Sequence, residues 1–297
     1  MTSSSEAPSR GRRGPVVAAA VLAVVLAALV VVVTGGRADW LDPGTGTPAA
    51  ATSTSPSTAS PPPTTTSPPT TSTRPPPAAP TAPGIPQSLL GADVEVVPTS
   101  ERVVALTFDA GGNAAGLDSI LATLAAEGVP GTFFLTGRWA DTHPDAVDAI
   151  SAAGHRLGNH SVSHPAFTTL SDAALRDEVL GAEASIRAAG GDPRPLFRFP
   201  LGDRDARTIA AVNDLGYLPV RWTVDTLGWQ GTSGGMTAEA VRDRVVGALQ
   251  PGEIVLMHVG SHPDDGSILD AAALPEVIAE LRAADYSFVT LDVLLQH

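Results

Sequence analysis

Val103-Val104-Ala105-Leu106-Thr107-Phe108-Asp109-Ala110-Gly111-Gly112 is the stretch on which the fold turns. Residues 103–108 form an apolar run short enough for a buried strand, and it delivers an aspartate into a glycine-rich turn. An Ala- and Leu-rich helical stretch follows at 114–127, and a second apolar run at 131–135. The unit then recurs. Further strands are expected over 156–158, 196–199, 217–224, 253–257 and 287–291, with helices over 144–153, 172–189, 205–215, 238–249 and 274–284. Ser171-Asp172 and Thr237-Ala238-Glu239 are sensible helix starts, and Gly128, Gly154, Gly190 and Gly216 stand where helices should stop. Strand alternating with helix implies parallel pairing and the α/β class. Seven short strands suit a parallel (β/α)7-type barrel better than a small open sheet.

Catalytic residues of such barrels gather at the C-terminal strand ends. Five chemically capable side chains fall there: Asp109, His160, Arg198, Asp225 and His258. In the segment His160-Ser161-Val162-Ser163-His164, two imidazoles four residues apart share one face if the segment is helical, and both can then reach one metal ion. Asp109 at a strand mouth can act as a base or a ligand. Arg198 sits within an otherwise apolar run, and if it is buried it needs a carboxylate, for which Asp109 is the candidate. His258 closes the apolar run 254–257. Taken singly, each has an ordinary structural explanation: surface histidines, an Asp-Gly turn, an edge arginine, a core histidine.

Their order is more specific than any one of them. Thr107-Phe108-Asp109, then His160 to His164, Arg198-Phe199-Pro200-Leu201-Gly202, Asp225-Thr226-Leu227-Gly228-Trp229 and Leu256-Met257-His258 resemble the five motifs of the NodB-homology polysaccharide deacetylases, carbohydrate esterase family four. The resemblance spans about residues 102–291 and implies a distorted β/α barrel. It also implies a divalent metal cofactor, zinc or another first-row ion, on His160 and His164, which would polarise an acetamide carbonyl and acidify a water. Asp109 would be the general base and Arg198 would orient it. A backbone N–H near Leu201 would help hold the oxyanion, His258 would protonate the departing amine, and Trp229 would wall the sugar.

Two positions depart from the pattern. The family's usual second aspartate, a third metal ligand, is Ala110 here, and the aspartate usual before the tryptophan, which tunes the catalytic histidine, is Gly228. Asp109 could itself ligate the metal, Asp203 or Asp225 could complete the site, or the domain could only bind glycan.

Outside this domain, residues 1–15 are expected to form a cytoplasmic segment, 16–34 a signal-anchor helix and 35–95 a disordered Pro/Thr/Ser-rich linker, leaving 96–297 as the deacetylase-like domain. The unbroken Val/Ala/Leu run from Val16 to Val33 has nearly the length of about 20 residues that a spanning helix needs. Arg10, Arg12 and Arg13 precede it and Arg37 alone follows closely, which places the domain outside the cell in a single-pass arrangement. A cleaved signal would secrete the same domain. At roughly 3.1 Å per residue, a proline-rich linker of roughly 40 residues reaches on the order of 100 Å, into a cell-wall layer.

The chain has no cysteine, so disulfides and thiolate metal sites are excluded, and all 18 basic residues are arginine. Five arginines and three acids precede residue 84, leaving 13 arginines against 28 acids and a net charge of −15 in the remainder. Such a domain repels phosphates, which excludes a nucleic-acid partner but suits an acetylated amino-sugar polysaccharide. Nothing points to a protein partner. H-E-x-x-H and G-x-S-x-G are both absent, so zinc peptidases and serine hydrolases lack their usual anchors. Three functions remain open: a glycan deacetylase, an inactive glycan-binding module on a membrane tether, and a metal amidase for a non-carbohydrate amide.

Overall fold

A computed structural model describes residues 84–296. The expected cytoplasmic segment, the expected signal anchor and most of the expected linker lie outside the described residues. Among those described, no helix is long and apolar enough to cross a membrane.

Eight parallel strands make one curled sheet: β1 (Val103–Ala110), β2 (Thr132–Leu135), β3 (Arg156–Asn159), β4 (Leu196–Phe197), β5 (Leu218–Pro219), β6 (Val224–Asp225), β7 (Glu253–His258) and β8 (Ser287–Phe288). Their order is β5-β4-β3-β2-β1-β7-β6, with β8 against the first two residues of β1. The connecting helices are α1 (Leu117–Glu127), α2 (Gly137–Thr142), α3 (Pro144–Ala152), α4 (Asp172–Ala188), α5 (Ala206–Asp214), α6 (Ala238–Gly247) and α7 (Leu269–Ala283).

Alternation along the strands separates two chemistries. In β1, Val104, Leu106, Phe108 and Ala110 belong to the large apolar cluster shared with helices such as α1, α6 and α7. Ala105 faces the other way, into a second cluster with Phe134, Leu196, Leu218 and Ile254 that is sealed by Val94, Val97, Leu291 and Leu294. Asp109 follows on that same inner face. β7 repeats the pattern: Val255 and Met257 lie in the outer cluster, Ile254 in the inner one, and Leu256 and His258 line a cavity above it. The inner face is thus apolar below and polar at its C-terminal rim, where the site sits.

The sheet departs from the sequence reading where 217–224 was expected to be one strand. β5 and β6 are separate, giving eight strands instead of seven. Between them the carbonyls of Val220 and Arg221 turn to accept from the Arg198 guanidinium, and the Arg221 N–H donates to Val94. The ladder is broken to solvate a buried cation. The same Val94, 6% exposed and bridged to Val220, brings part of the expected linker into the fold.

Glu253, at the start of β7, is wholly buried, and only one carboxylate oxygen has a partner, the Gln250 N–H at 3.3 Å. Burial outweighs that hydrogen bond and pushes its carboxyl up to about 7. A folded-state value raised above that of the unfolded chain gives stability that is complete below about pH 4.5 and is lost as pH rises through about 7. Chemical denaturation at pH 5 and pH 8 is expected to show the wild type losing about 2 kcal/mol relative to Glu253→Gln. A gap between the two proteins that is the same at both pH values would contradict this.

Candidate active site

Above the inner core lies a cavity of about 550 Å³. It brings together Asp109, His160, His164, Leu201, Asp225, Trp229 and His258. The remaining residue of the sequence-derived set, Arg198, is fully buried behind the wall. Asp203 is elsewhere: its carboxylate accepts from the Thr168 N–H at 2.8 Å and from the Thr168 hydroxyl.

Arg198 Nη1 donates to Asp109 Oδ1 at 2.8 Å, while Nε and Nη2 donate to the carbonyls of Val220 and Arg221. Its guanidinium carbon stands 4.1 Å from the centroid of the Phe134 ring. Burial by itself would raise the Asp109 carboxyl, but the charge of Arg198, aided by those of His160 and His258, holds it below the usual carboxylate range. Asp109 is therefore an ionised base whose second oxygen, Oδ2, lies 3.3 Å from His160 Nε2.

His160 Nδ1 is 2.9 Å from the Arg198 carbonyl. A carbonyl only accepts, so Nδ1 carries the hydrogen and Nε2 keeps a free lone pair. Burial lowers His160 to about 4, against the pull of Asp109, and also lowers His164. Both are neutral near pH 7, the state in which imidazole binds metal. Their ring centroids are 4.8 Å apart.

The histidine segment is not helical. Ser161 and His164 both have left-handed backbones, with φ of 67° and 61°, a conformation that costs about 1–2 kcal/mol per non-glycine residue. Glu178 of α4 holds it, accepting from the N–H groups of Val162 and Ser163 and from the Ser163 hydroxyl. The Ser161 hydroxyl accepts from the His164 N–H. A tied loop, rather than an i,i+4 helical pair, sets the two imidazoles.

Across the cavity, His258 is raised: burial lowers it, but Asp270, Asp109 and Asp225 outweigh burial. At the rim, Leu201 has φ 60° and is 69% exposed, and its N–H has no acceptor among the described residues. Trp229 is 49% exposed, with its indole N–H donating to Asp225 Oδ2 at 3.3 Å. His262 and Pro263, just beyond β7, also line the cavity.

The residues fit a divalent ion in donor chemistry: two neutral imidazoles with a carboxylate beside them. Among the described residues, however, no three His, Asp or Glu side chains form a ready ion cluster. Ala110 lies in the outer apolar cluster and supplies no donor.

The polysaccharide deacetylase family model matches residues 96–220. A peptidoglycan-N-acetylglucosamine deacetylase of Bacillus cereus is 31% identical over 201 residues, 67% of this chain and 70% of that protein. The chain belongs to the polysaccharide deacetylase family. These enzymes hydrolyse the carbon–nitrogen bond of N-acetyl groups. A chitooligosaccharide deacetylase of Rhizobium leguminosarum is 32% identical, covering 56% of this deacetylase-family chain and 76% of its own. Among solved structures, a family-four carbohydrate esterase pseudoenzyme from Bacillus anthracis superposes with a TM-score of 0.63 at 28% identity, covering 69% of each chain. A mutant of that pseudoenzyme is described as having restored enzymatic activity.

Proposed function

We propose that this chain removes N-acetyl groups from an amino-sugar polymer of the cell envelope, peptidoglycan or a chitin-like glycan, by metal-dependent hydrolysis. One observation carries the reading: Asp109 is clamped by the buried Arg198 and faces His160 in a cavity that also presents His258. Asp109 takes a proton from the attacking water, and Arg198 keeps it ionised and aimed. The Leu201 N–H, without an acceptor at the cavity rim, receives the developing oxyanion. His258, raised by its acidic neighbours, gives its proton to the departing amine. Leu201 and Trp229 offer apolar surface to the acetyl methyl and the sugar ring. A divalent ion on His160 and His164, zinc being the expected one, would supply Lewis-acid polarisation of the acetamide carbonyl.

No arginine lines the cavity, whereas Asp109 and Asp225 do. That charge supports a neutral or partly deacetylated glycan as substrate. Similarity to peptidoglycan and chitooligosaccharide deacetylases supports a glycan over a non-carbohydrate amide. The apolar run 16–33 and its flanking arginines support a membrane-anchored domain outside the cell.

A second reading, a glycan-binding module without catalysis, has one observation in its favour: the described residues hold no three-donor metal cluster. Metal content and acetate release separate the two. The full chain, given zinc and an acetylated chito-oligosaccharide, is expected to bind one ion and release acetate, and His160→Ala to lose both. Glycan binding without metal or acetate would establish the module instead.

A further inference from the structure

We infer that Asp270, the second residue of α7, is the positioning residue of the His258 imidazole, and that residue 228 is glycine because the Asp270 carboxylate occupies the space of its side chain. The inference rests on the reading of His258 as the acid of the reaction.

Asp270 is 3% exposed, and a carboxylate that deep needs partners. It finds them on two strand ends. Oδ1 accepts from the Thr226 hydroxyl at 2.6 Å, just beyond β6. Oδ2 accepts from the His258 backbone N–H at 2.8 Å, at the end of β7. The same Oδ2 lies 3.5 Å from His258 Nδ1, which has no hydrogen bond in this arrangement. A carboxylate fixed by two other donors, with the ring nitrogen next to it, can hold the imidazole by one edge. A small rotation of the ring closes the gap, and Nε2 is left facing the cavity.

Gly228 supplies the second, independent observation. A Cβ built there would lie 2.3 Å from Asp270 Oδ1, 2.6 Å from Cγ and 2.9 Å from Oδ2. Its backbone φ is not in the left-handed region, so glycine is needed for space alone. An aspartate at 228 and the aspartate at 270 would compete for one volume, and only one can stand beside His258. The departure from the motif at 228 is then a relocation: the orienting carboxylate comes from α7.

The test is an exchange in the full chain, assayed with zinc on an acetylated chito-oligosaccharide. Asp270→Ala is expected to lower kcat roughly 100-fold with KM within about twofold, the scale for losing an orienting carboxylate. Gly228→Asp alone is expected to lower kcat as well, by displacing Asp270. The double variant, Gly228→Asp with Asp270→Ala, is expected to recover at least tenfold over Asp270→Ala, which a merely structural role would not produce. His258→Ala sets the floor. A floor as high as the wild type would overturn the acid reading itself. With that floor low, wild-type kcat in Asp270→Ala would overturn the positioning role and leave the acid reading standing. Should Asp270→Ala fail to fold by its thermal midpoint, the double variant decides: folded and active supports the relocation, whereas unfolded or as slow as His258→Ala overturns it.

Discussion

Replacing Asp109 by Asn is expected to lower kcat about a thousandfold, within the range for removal of a positioned general base. Asn nearly matches Asp in shape and keeps an oxygen for Arg198 Nη1, now 2.8 Å from Oδ1. The proton acceptor disappears while the cavity keeps its form, so KM should move little. Stability should fall too, because a neutral amide compensates the buried guanidinium less well than a carboxylate. That cost is about 1–3 kcal/mol. Arg198 still donates to the Val220 and Arg221 carbonyls, so it is not wholly orphaned. Steady-state acetate release and a thermal midpoint, measured on the same preparation, separate the two effects. A kcat within tenfold of wild type in folded protein would remove Asp109 from the base role.

How far the sequence was legible depends on whether local pattern or distant packing fixes each element. β1 was readable because all eight of its residues are buried, so its apolar run is long and its end is marked by glycines. Asp109 and His258 were placed at strand ends for the same reason, and they stand opposite each other in the β1–β7 register. The stretch 217–224 misled because Tyr217, Leu218, Val220, Trp222, Thr223 and Val224 are all strand formers, although Pro219 stands among them. What interrupts it is Arg198, some twenty residues away, drawing two carbonyls out of the ladder. The His160–His164 spacing suggested a helix turn, but Glu178 on α4 imposes a bent loop that no local signal announces. Asp270 was missed through a boundary error: a helix was expected over 274–284, whereas α7 begins at Leu269 and carries Pro275 within it. With α7 extended backwards, a lone acid in its first turn, followed by Ala271, Ala272, Ala273 and Leu274, would have stood out.

Arg198→Met should be the most damaging of the changes to stability. The arginine is fully buried, its three donating nitrogens each have an acceptor, and it packs on Phe134. Methionine fills part of the volume but leaves Asp109 buried without its guanidinium partner, with only the imidazoles of His160 and His258 near it. Removing one partner of a buried ion pair costs about 3–5 kcal/mol, because the remaining charge is uncompensated. For a domain of this size that lowers the thermal midpoint by on the order of 10 °C. The carboxyl should escape by binding a proton, since burial raises it once Arg198 no longer opposes burial. A protonated Asp109 cannot accept from water, so activity should fall with stability. Arg198→Lys keeps the charge but cannot reach three acceptors with one ammonium, and it should lie between the two. The decisive comparison is the double variant Asp109→Asn with Arg198→Met. If the uncompensated carboxylate is what destabilises the single variant, removing it should return more than half of the lost stability, a coupling that denaturation midpoints of the four proteins measure directly. A double variant as unstable as the sum of the singles would mean that Arg198 acts through its carbonyl and aromatic contacts, and that the ion pair serves the chemistry alone.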